Sequence, residues 1–345
     1  MKADDLAIEY EMRVDMSANA LEHGVSASVE IQVNKPMKSL LSNIDVTLRD
    51  GGYRNQFNFS DDYAALHVQA MDKVGIEWVE IGYRNGSFRP IDNIGQTGMS
   101  PDRYLKALRG AAKRPCLCVM AHPKNITAED LKHMRPLVDM VRFCIDPQRM
   151  PLTIDYVRLA KSLGYTVCAN LTRISQHKVK ALVELAEKAV DAGIDVIYLA
   201  DSNGSMTPRR VGRLVTVIHD LVGHCCQVGF HAHDNLGLAM SNSIAAVNAG
   251  ANFIDSSLRG MGKGAGNLKL ELWLAYLRRE KEIDHYNLAP LLDQVDLLEK
   301  TNVEAHPIQP LDDLILGLRD LSVEQRECLH ANTARVSEML TKAVL

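Results

Sequence analysis

Two histidines stand two residues apart in the segment FHAHDN, at residues 230–235. If this segment is a β-strand, residues at that spacing project to the same side, and the imidazoles of His231 and His233 lie next to each other. Two adjacent imidazoles are a ready pair of metal ligands. An isolated His-x-His pair is more often structural, so the prediction of a metal site depends on what other segments bring to the same place.

The segment DVTLRDGGYRN, at residues 45–55, supplies a carboxylate and a fixed cation. Asp50 stands where a predicted first strand meets its loop, and the first and seventh strands of an eight-stranded barrel are near neighbours. Asp50 can therefore complete a facial set of ligands with the two histidines. Such a mixed nitrogen and oxygen site suits Mn²⁺, Mg²⁺, Co²⁺, Fe²⁺ or Zn²⁺. Arg49 offers positive charge to a carbonyl oxygen or a carboxylate, although a local Arg–Asp ion pair is the alternative interpretation.

The glycine-rich segment RGMGKGAGN, at residues 259–267, follows a predicted eighth strand. Its glycines let the backbone approach a ligand closely, although a tight connection between elements would need them too. Asn267 can cap the following helix, coordinate a metal through its amide oxygen, or do both. Loops after strands seven and eight often bind phosphate in barrel enzymes, so Lys263 is predicted to meet a phosphorylated or CoA-bearing substrate.

These segments fall within a repeating pattern of short apolar or β-branched runs followed by stretches of helical periodicity. Eight strands are predicted, at residues 43–48, 78–82, 116–121, 140–145, 166–171, 196–200, 228–232 and 253–256. Eight helices are predicted after them, at residues 61–74, 102–113, 127–135, 154–163, 178–192, 208–222, 238–249 and 268–279. The recurrent order of helix, glycine and strand, as in KSLGYTVCA, favours a parallel α/β fold, and eight such units favour a closed TIM (β/α)8 barrel. A doubly wound sheet is the alternative, but its early G-x-G-x-x-G turn is missing.

The flanks differ from the barrel, which is predicted to span residues 41–282. Residues 1–40 form an N-terminal extension with one predicted strand in SASVEIQVNK, which is a hairpin, a cap or a flexible arm. Residues 283–345 are Leu-rich and helical in period, interrupted by three prolines. We predict that they form a small helical region that packs on the barrel or on a second subunit.

The composition narrows the function classes. The 345 residues are 46% hydrophobic and 24% charged, which predicts a packed globular protein. A formal net charge of −4 provides no broad basic surface for nucleic acid. Seven cysteines without a C-x-x-C pair, no bilayer-spanning apolar run and an N-terminus without a secretory signal predict a cytoplasmic protein that enters no membrane.

Together the three chemical segments resemble those of the DRE-TIM metallolyases, a family of metal-dependent lyases and synthases on TIM barrels. The resemblance covers about residues 43–280 and rests on TLRDG, HAHDNLGLA and GAGN in this order. It implies that Asp50, His231 and His233 bind a divalent metal, Mn²⁺ or Mg²⁺ being expected and Zn²⁺ or Co²⁺ being alternatives. It also implies Asn267 as a fourth ligand and Arg49 as the group that stabilises an enolate oxygen.

Within the family, the segments ADSNG at residues 200–204 and VEIGYRNG at residues 79–86 look most like the 4-hydroxy-2-oxoacid aldolases. Glu80, at the end of predicted strand two, would orient Arg49 or fill a barrel layer. Asp201 and Ser202 would sit at the mouth of strand six. The residues expected to bind substrate are Arg49, Tyr83, Asp201, Ser202 and Lys263. The segment GMGKGAGN lacks the cysteine of hydroxymethylglutaryl-CoA lyases, and DGGY replaces the DGEQ of isopropylmalate-type synthases.

One departure from the aldolases concerns the catalytic base. They carry a histidine three residues after the metal aspartate, and this sequence has Tyr53 there. A phenol near a metal can act as an acid or base if its pKa is depressed from its usual value of about 10. Tyr53 takes the role, or a metal-bound hydroxide, Tyr83 or His122 does. Arg54 and Arg84 add positive charge near the same mouth, which predicts an anionic substrate.

The leading hypothesis is an aldolase that cleaves or forms a 4-hydroxy-2-oxoacid through a metal-bound pyruvate enolate, with a small anionic 2-oxoacid as substrate. One alternative is a Claisen-type synthase that joins an acyl-CoA to a 2-oxoacid. Another is a non-catalytic barrel that serves as a scaffold. A homodimer is expected, and residues 283–345 are a predicted docking region for a partner enzyme.

Overall fold

A computed structural model describes residues 41–145, 150–301 and 311–330. Eight parallel strands form a closed barrel in chain order, and the last strand pairs with the first. They are β1 (Ser42–Asp45), β2 (Trp78–Arg84), β3 (Cys116–Ala121), β4 (Met140–Ile145), β5 (Thr166–Leu171), β6 (Val196–Asp201), β7 (Gln227–Ala232) and β8 (Phe253–Ser256). The predicted TIM barrel is therefore confirmed. The predicted N-terminal extension and its strand lie outside the described residues.

Helices follow the strands and cover the barrel. They are α1 (Asp61–Val74), α2 (Gln96–Met99), α3 (Asp102–Ala111), α4 (Ala128–Met134), α5 (Met150–Ser162), α6 (Val179–Asp191), α7 (Pro208–Val222), α8 (Ala239–Asn248), α9 (Leu270–Glu280), α10 (Leu288–Thr301), α11 (Leu311–Leu318) and α12 (Arg326–His330). Local capping fixes several ends: the Ser60 hydroxyl accepts a hydrogen bond from the Tyr63 amide at 3.1 Å, and Thr127 forms a capping box with Asp130. Helix α5 begins earlier than predicted, because Pro151 in its first turn needs no hydrogen-bond partner there.

The interior of the barrel contains both a cluster of apolar side chains and buried charged side chains. One part is filled by apolar side chains that include Ile44, Val46, Met140, Tyr198 and Phe253. Charged side chains are also buried inside, namely Glu80 on β2, Arg142 on β4 and Asp255 on β8. A buried charge is costly unless it is paired, so these residues must contact one another or a ligand.

The first strand ends earlier than the sequence predicts. The carboxylate of Asp45 accepts a hydrogen bond from the Thr47 hydroxyl at 2.5 Å, and its other oxygen contacts His67 Nε2 at 2.6 Å. The chain then leaves the sheet, and the Asp50 amide donates to the Val46 carbonyl at 2.8 Å. Asp50 therefore lies in a turn beyond the strand rather than at the junction of strand and loop.

The C-terminal part of the described chain reaches the mouth of the barrel. Between α11 and α12, the Asp320 carboxylate accepts hydrogen bonds from Ser175, Asn203 and Ser205 at 2.6–2.8 Å. These three residues lie in loops that follow β5 and β6. The mouth segment, residues 320–325, is thus tied to the face where barrel enzymes build their sites. The predicted boundary at residue 282 stays a prediction.

In the described ranges, no helix has the length and apolar character needed to cross a bilayer.

Candidate metal centre

The three predicted ligands meet at one end of the barrel. One ligand atom from each of Asp50, His231 and His233 lies within 4.8 Å of the others, and all three side chains are buried. His231 lies on β7, and His233 comes just after its end, paired with Asn267 through an isolated bridge. The turn beyond β1 brings Asp50 to them. The spacing of the histidines and the closure of the barrel thus place the ligands together.

The hydrogen bonds of the two imidazoles define which ring nitrogens are free. His231 Nδ1 lies 2.9 Å from Asp255 Oδ2, and His233 Nδ1 lies 3.1 Å from the Gly266 carbonyl oxygen. Both partners can only accept, so in the neutral form of each imidazole Nδ1 carries the proton and Nε2 presents a lone pair. The two Nε2 atoms are 3.3 Å apart. Two lone pairs at that distance repel each other, and a cation between them removes the conflict.

The ionisation of the ligands also fits a cation. Burial by itself raises the pKa of Asp50, but the charges of Arg49 and the two histidines lower it well below its usual range. Burial lowers the pKa of His233 to about 4, so its imidazole is neutral at pH 7. The site therefore offers one carboxylate and unprotonated imidazole nitrogen, which are the forms that bind divalent metals.

Asn267 lies beside the metal ligands. Its amide nitrogen donates to Asp50 Oδ2 at 2.9 Å and to the Met261 carbonyl at 3.2 Å. Its Oδ1 is buried and has no hydrogen-bond partner within the described ranges. A Cβ added at Gly262 would lie 2.4 Å from the Asn267 amide nitrogen, so this position needs a glycine. The unpartnered oxygen suits the predicted role as a fourth ligand.

Arg49 is held between two carboxylates. Its Nε donates to Glu80 Oε2 at 2.6 Å, and its Nη1 forms an ion pair with Asp50 Oδ1. Burial would lower the pKa of Arg49, but Glu80 and Asp50 raise it well above its usual value. Glu80 lies in the middle of β2 rather than at its end, which corrects its predicted place. It contacts Arg49 and is fully buried, so either of the two roles considered for it stays a prediction.

Two buried charges that the sequence analysis did not select complete a network across the barrel. Arg142 Nη1 lies 3.2 Å from Glu80 Oε2, and Arg142 Nη2 donates to Asp255 Oδ2 at 2.8 Å. Because Asp255 also contacts His231, alternating charges connect Arg49 with a histidine ligand. An arginine inside the apolar run MVRFCI and an aspartate inside FIDS were the signals available in the sequence.

Two phenols and an imidazole line the cavity next to Arg49. The hydroxyls of Tyr53 and Tyr83 are 3.1 Å apart, and the Tyr83 ring stacks on His122 at 5.5 Å. Burial raises the pKa of Tyr53 to about 12 and that of Tyr83 well above its usual value. Burial lowers the pKa of His122 to about 3. At neutral pH both phenols are therefore protonated, and the imidazole is a weak base.

The other predicted substrate residues lie in different settings. Ser202 and Lys263 line the cavity, and the Lys263 ammonium forms an ion pair with Glu324 of the mouth segment. Asp201 is fully buried, does not line the cavity, and accepts hydrogen bonds from the amides of Ser205 at 3.2 Å and Met206 at 2.9 Å. Its carboxylate shapes the loop after β6, and a direct role in substrate binding stays a prediction.

Arg84 does not supply the charge expected at the mouth. Its guanidinium lies 2.8 Å from Asp102 and 2.9 Å from Asp130, and the residue is absent from the cavity lining. Arg54 is also absent from the lining. The cationic side chains that do line it, besides Arg49 and Lys263, are Arg89, Lys124 and Arg173. All three follow a strand within a few residues, which was the available signal in the sequence.

The site opens into one large cavity. It has a volume of about 800 Å³ and extends from the metal ligands to the mouth segment. Its walls combine the two phenols and His122 with apolar residues such as Met120 and Leu171. Such a cavity is large enough for an organic acid together with a second reactant.

Comparison with known proteins identifies the family of this chain. The model of the HMGL-like family matches residues 41–298. A 4-hydroxy-2-oxovalerate aldolase from Chloroflexus aggregans is 32% identical over 77% of this chain and 76% of that protein. An oxaloacetate decarboxylase from Mycobacterium tuberculosis is 28% identical over 84% of this chain and 85% of that protein.

Solved structures resemble the barrel as well. The N-terminal domain of a Bacteroides vulgatus protein, provisionally assigned as an aldolase, superposes with a TM-score of 0.74 at 32% identity, over 85% of this chain and 97% of that one. The carboxyl transferase domain of Rhizobium etli pyruvate carboxylase with pyruvate has a TM-score of 0.63 at 17% identity, over 77% of this chain and 48% of that one. The second likeness shows the fold alone.

Proposed function

Because this chain belongs to the HMGL-like family, we propose that it is a divalent-metal-dependent aldolase that cleaves or forms a 4-hydroxy-2-oxoacid by way of the enolate of pyruvate. The observation that carries the proposal is the convergence of Asp50, His231 and His233 beside the fixed guanidinium of Arg49. The relatives named 4-hydroxy-2-oxovalerate aldolase support the choice of reaction. A carbon–carbon lyase of this kind needs positive charge where the enolate oxygen develops.

Asp50, His231 and His233 would hold the metal, and the Asn267 amide oxygen is the proposed fourth ligand. When bound, a divalent cation supplies a Lewis acid for the carboxylate and keto oxygens of a 2-oxoacid. We propose Mn²⁺ or Mg²⁺, because a carboxylate and an amide oxygen are hard ligands, with Zn²⁺ or Co²⁺ as alternatives. The substrate is accordingly a small 2-oxoacid anion.

Arg49 stabilises the enolate oxygen, and Glu80 positions Arg49. The hydrogen bond of 2.6 Å between Arg49 Nε and Glu80 fixes the plane of the guanidinium. A donor that is already oriented does not have to reorganise as negative charge develops. Glu80 thus acts through Arg49 rather than on the substrate.

Tyr53 is the proposed proton donor. In cleavage, the hydroxyl at carbon 4 gives its proton to His122, which lines the cavity and whose Nε2 has no hydrogen-bond partner in the described ranges. The bond between carbons 3 and 4 then breaks, and carbon 3 of the enolate takes up a proton. With a pKa of about 12, Tyr53 is protonated at neutral pH and can supply the proton to carbon 3. Tyr83, at 3.1 Å, can pass a proton back to Tyr53.

Decarboxylation of oxaloacetate is a second candidate function. It breaks a carbon–carbon bond without deprotonating a hydroxyl: carbon dioxide leaves, its bonding electrons form the pyruvate enolate, and an acid protonates carbon 3. The protonated phenols and the weakly basic His122 suit a reaction that needs an acid more than a base. The relative named oxaloacetate decarboxylase supports this candidate.

The enolate proposal predicts that the enzyme exchanges the methyl protons of pyruvate with solvent deuterium when Mn²⁺ is added. Proton NMR of pyruvate in D₂O measures the exchange, with metal-free enzyme as the control. The absence of exchange with Mn²⁺, Mg²⁺, Co²⁺ and Zn²⁺ would contradict the proposal. Pyruvate and an aldehyde released from a 4-hydroxy-2-oxoacid identify the aldolase, carbon dioxide from oxaloacetate identifies the decarboxylase, and free CoA thiol identifies a Claisen synthase.

Replacing Tyr53 with phenylalanine is expected to lower kcat about 10²-fold, because the proton donor is lost while the ring remains. The raised pKa of Tyr53 also predicts the pH dependence. The protonated phenol, which is the active form, is present below about pH 12 and is lost only above it. The wild-type kcat should therefore show no decrease from Tyr53 ionisation between pH 6 and 9. Steady-state rates across that range test both points, with Tyr276→Phe on α9 as the matched control. A Tyr53→Phe variant with wild-type kcat would exclude Tyr53 as the donor.

The predicted homodimer and the docking role of residues 283–345 stay predictions. Size-exclusion chromatography with light scattering measures the first directly.

A further inference from the structure

The cavity is much larger than the 2-oxoacid that the metal end requires. Its volume of about 800 Å³ is near the upper end of the range for small-molecule pockets. Pyruvate is a three-carbon acid and, bound as proposed above, would fill only the part next to Arg49 and the proposed metal ligands. The remainder is available to the second reactant, which is the aldehyde in the aldol direction.

An aromatic wall runs away from the metal end. The ring centroids of Tyr53 and Tyr83 are 6.2 Å apart, those of Tyr83 and His122 are 5.5 Å apart, and those of His122 and Phe88 are also 5.5 Å apart. Phe88 is 45% exposed and therefore reaches solvent. The planes of neighbouring rings meet at angles between 20° and 83°, so the wall offers apolar contacts to the body of a ligand along its length.

His122 has an unused polar atom in this wall. It is buried, and its Nε2 has no hydrogen-bond partner in the described part of the chain. An unpaired polar atom in a cavity wall is costly unless a ligand or water satisfies it. The wall therefore also presents a polar contact part of the way along its length.

Cationic side chains stand where the aromatic wall reaches solvent. The Lys124 ammonium lies 4.3 Å from the centroid of the Phe88 ring and donates to the Phe88 carbonyl. Arg89 follows Phe88 in sequence and lines the same cavity. Neither Lys124 nor Arg89 has a carboxylate partner among the residues that the structure describes. Arg173 is 43% exposed and lies 3.8 Å from Glu324, whose carboxylate is already paired with Lys263.

The charges of the cavity are thus divided between its two ends. Near the metal ligands, Arg49 is neutralised by Glu80 and Asp50. At the outer rim, the positive charges of Arg89 and Lys124 are not balanced by a carboxylate from the described chain. A rim with this excess of positive charge attracts an anion.

We propose that the second reactant is an aldehyde with an anionic group at the end opposite its carbonyl, and that Lys124 and Arg89 bind this group. The body of the molecule lies along Tyr83, His122 and Phe88. Carbon 3 of pyruvate loses one proton and forms the new bond to the aldehyde carbon, and the aldehyde oxygen takes up one proton. The assignment rests on the proposed aldolase function and specifies its substrate class.

Paired aldehydes test the assignment in the synthetic direction. Pentanal and 5-oxopentanoate share a five-carbon chain and differ in a terminal methyl or carboxylate, and 4-oxobutyl phosphate carries a phosphate instead. The anionic aldehydes are expected to react with pyruvate with a kcat/KM at least about tenfold above that of pentanal, since hydrogen bonds to charged groups are stronger than those between neutral groups. The higher of the two anionic values identifies whether carboxylate or phosphate is the natural group.

The double variant Lys124→Gln/Arg89→Gln is expected to lose this preference, with the kcat/KM of the anionic aldehydes falling about tenfold or more and that of pentanal changing less. The matched control is Lys132→Gln, an exposed lysine on α4 outside the cavity. Equal kcat/KM values for the paired aldehydes in wild type, or an intact preference in the double variant, would overturn the assignment.

Deuterium exchange into pyruvate, measured on the same preparations, distinguishes a failure of the proposed substrate class from a failure of the proposed enolate chemistry. Enzyme that exchanges pyruvate protons but shows no preference for anionic aldehydes, or adds no aldehyde, contradicts the substrate class and leaves the enolate chemistry standing. Enzyme that exchanges no protons with any divalent metal contradicts the proposed function itself.

Discussion

An Asp50→Asn variant is expected to lose its bound divalent metal and, with it, its exchange of pyruvate protons. The substitution keeps the shape of the side chain and removes the negative charge, which the neighbouring guanidinium of Arg49 stabilises although burial by itself opposes ionisation. Removing a group that only orients a ligand typically lowers metal affinity about 10–100-fold, so removing a ligand charge should exceed that range. We expect metal affinity to fall more than about 100-fold and the exchange rate by about 10³-fold or more.

Metal content after dialysis, measured by mass spectrometry, tests the first expectation, and the NMR exchange assay tests the second. Asp293→Asn is the matched control, because Asp293 is exposed on α10 and does not line the cavity. The Asn267 amide still finds an acceptor in the variant, and Arg49 keeps Glu80 as a partner. An Asp50→Asn protein with full metal content would refute the proposed centre.

An Arg49→Lys variant is expected to keep its metal and lose most of its activity. Lysine preserves the charge but not the planar fork that contacts Glu80 and Asp50 at once. The donor would then no longer point where the enolate oxygen forms. Losing one such oriented donor typically costs a factor of about 10²–10³ in kcat, and we expect a loss of that size here.

Steady-state kinetics and pyruvate exchange measure this loss, and metal analysis of the same preparation shows whether Asp50 still binds. The matched control is Arg278→Lys, an exposed arginine on α9. A kcat within about threefold of wild type would show that Arg49 stabilises the fold rather than the enolate. A joint loss of metal and activity would instead mean that Arg49 acts mainly by positioning Asp50.

The two variants change neighbouring members at one end of a network of charges. Arg49 contacts the ligand Asp50 directly, whereas Arg142 and Asp255 connect Glu80 with the ligand His231. Buried ion pairs of this kind contribute little net stability, because desolvation offsets their attraction. Here they fix the orientation of the His231 imidazole and of the Arg49 guanidinium, which their proposed roles require.

Much of the barrel was determined by the sequence alone. Strands β3, β4, β5 and β8 and helices α1 and α7 have the predicted bounds, because glycines, prolines and capping hydroxyls fix their ends locally. The approach of His231 and His233 also follows from local geometry, since side chains two apart on a strand share a face. Closure of eight parallel units then brings the carboxylate of Asp50 near them.

Contacts between distant segments were decided only by the tertiary structure. Strand β1 ends at Asp45 because the Asp45 carboxylate accepts a hydrogen bond from Thr47 and contacts His67 on α1. The spacing of apolar residues in the sequence does not indicate these contacts. Arg84 was expected to charge the mouth, but Asp102 and Asp130 neutralise it. Which charge a residue meets depends on folded neighbours rather than on its place in the chain.

The convergence of Asp50, His231 and His233 was thus predictable because strand spacing and barrel order place them, and the rest of the site was not. Arg142 and Asp255 pair across the barrel interior from β4 and β8, 113 residues apart in the chain. Lys124 and Arg89 become the outer rim only when the loops after β2 and β3 fold beside each other. Local periodicity encodes the elements, whereas side-chain pairing across a closed barrel exists only once the chain has closed on itself.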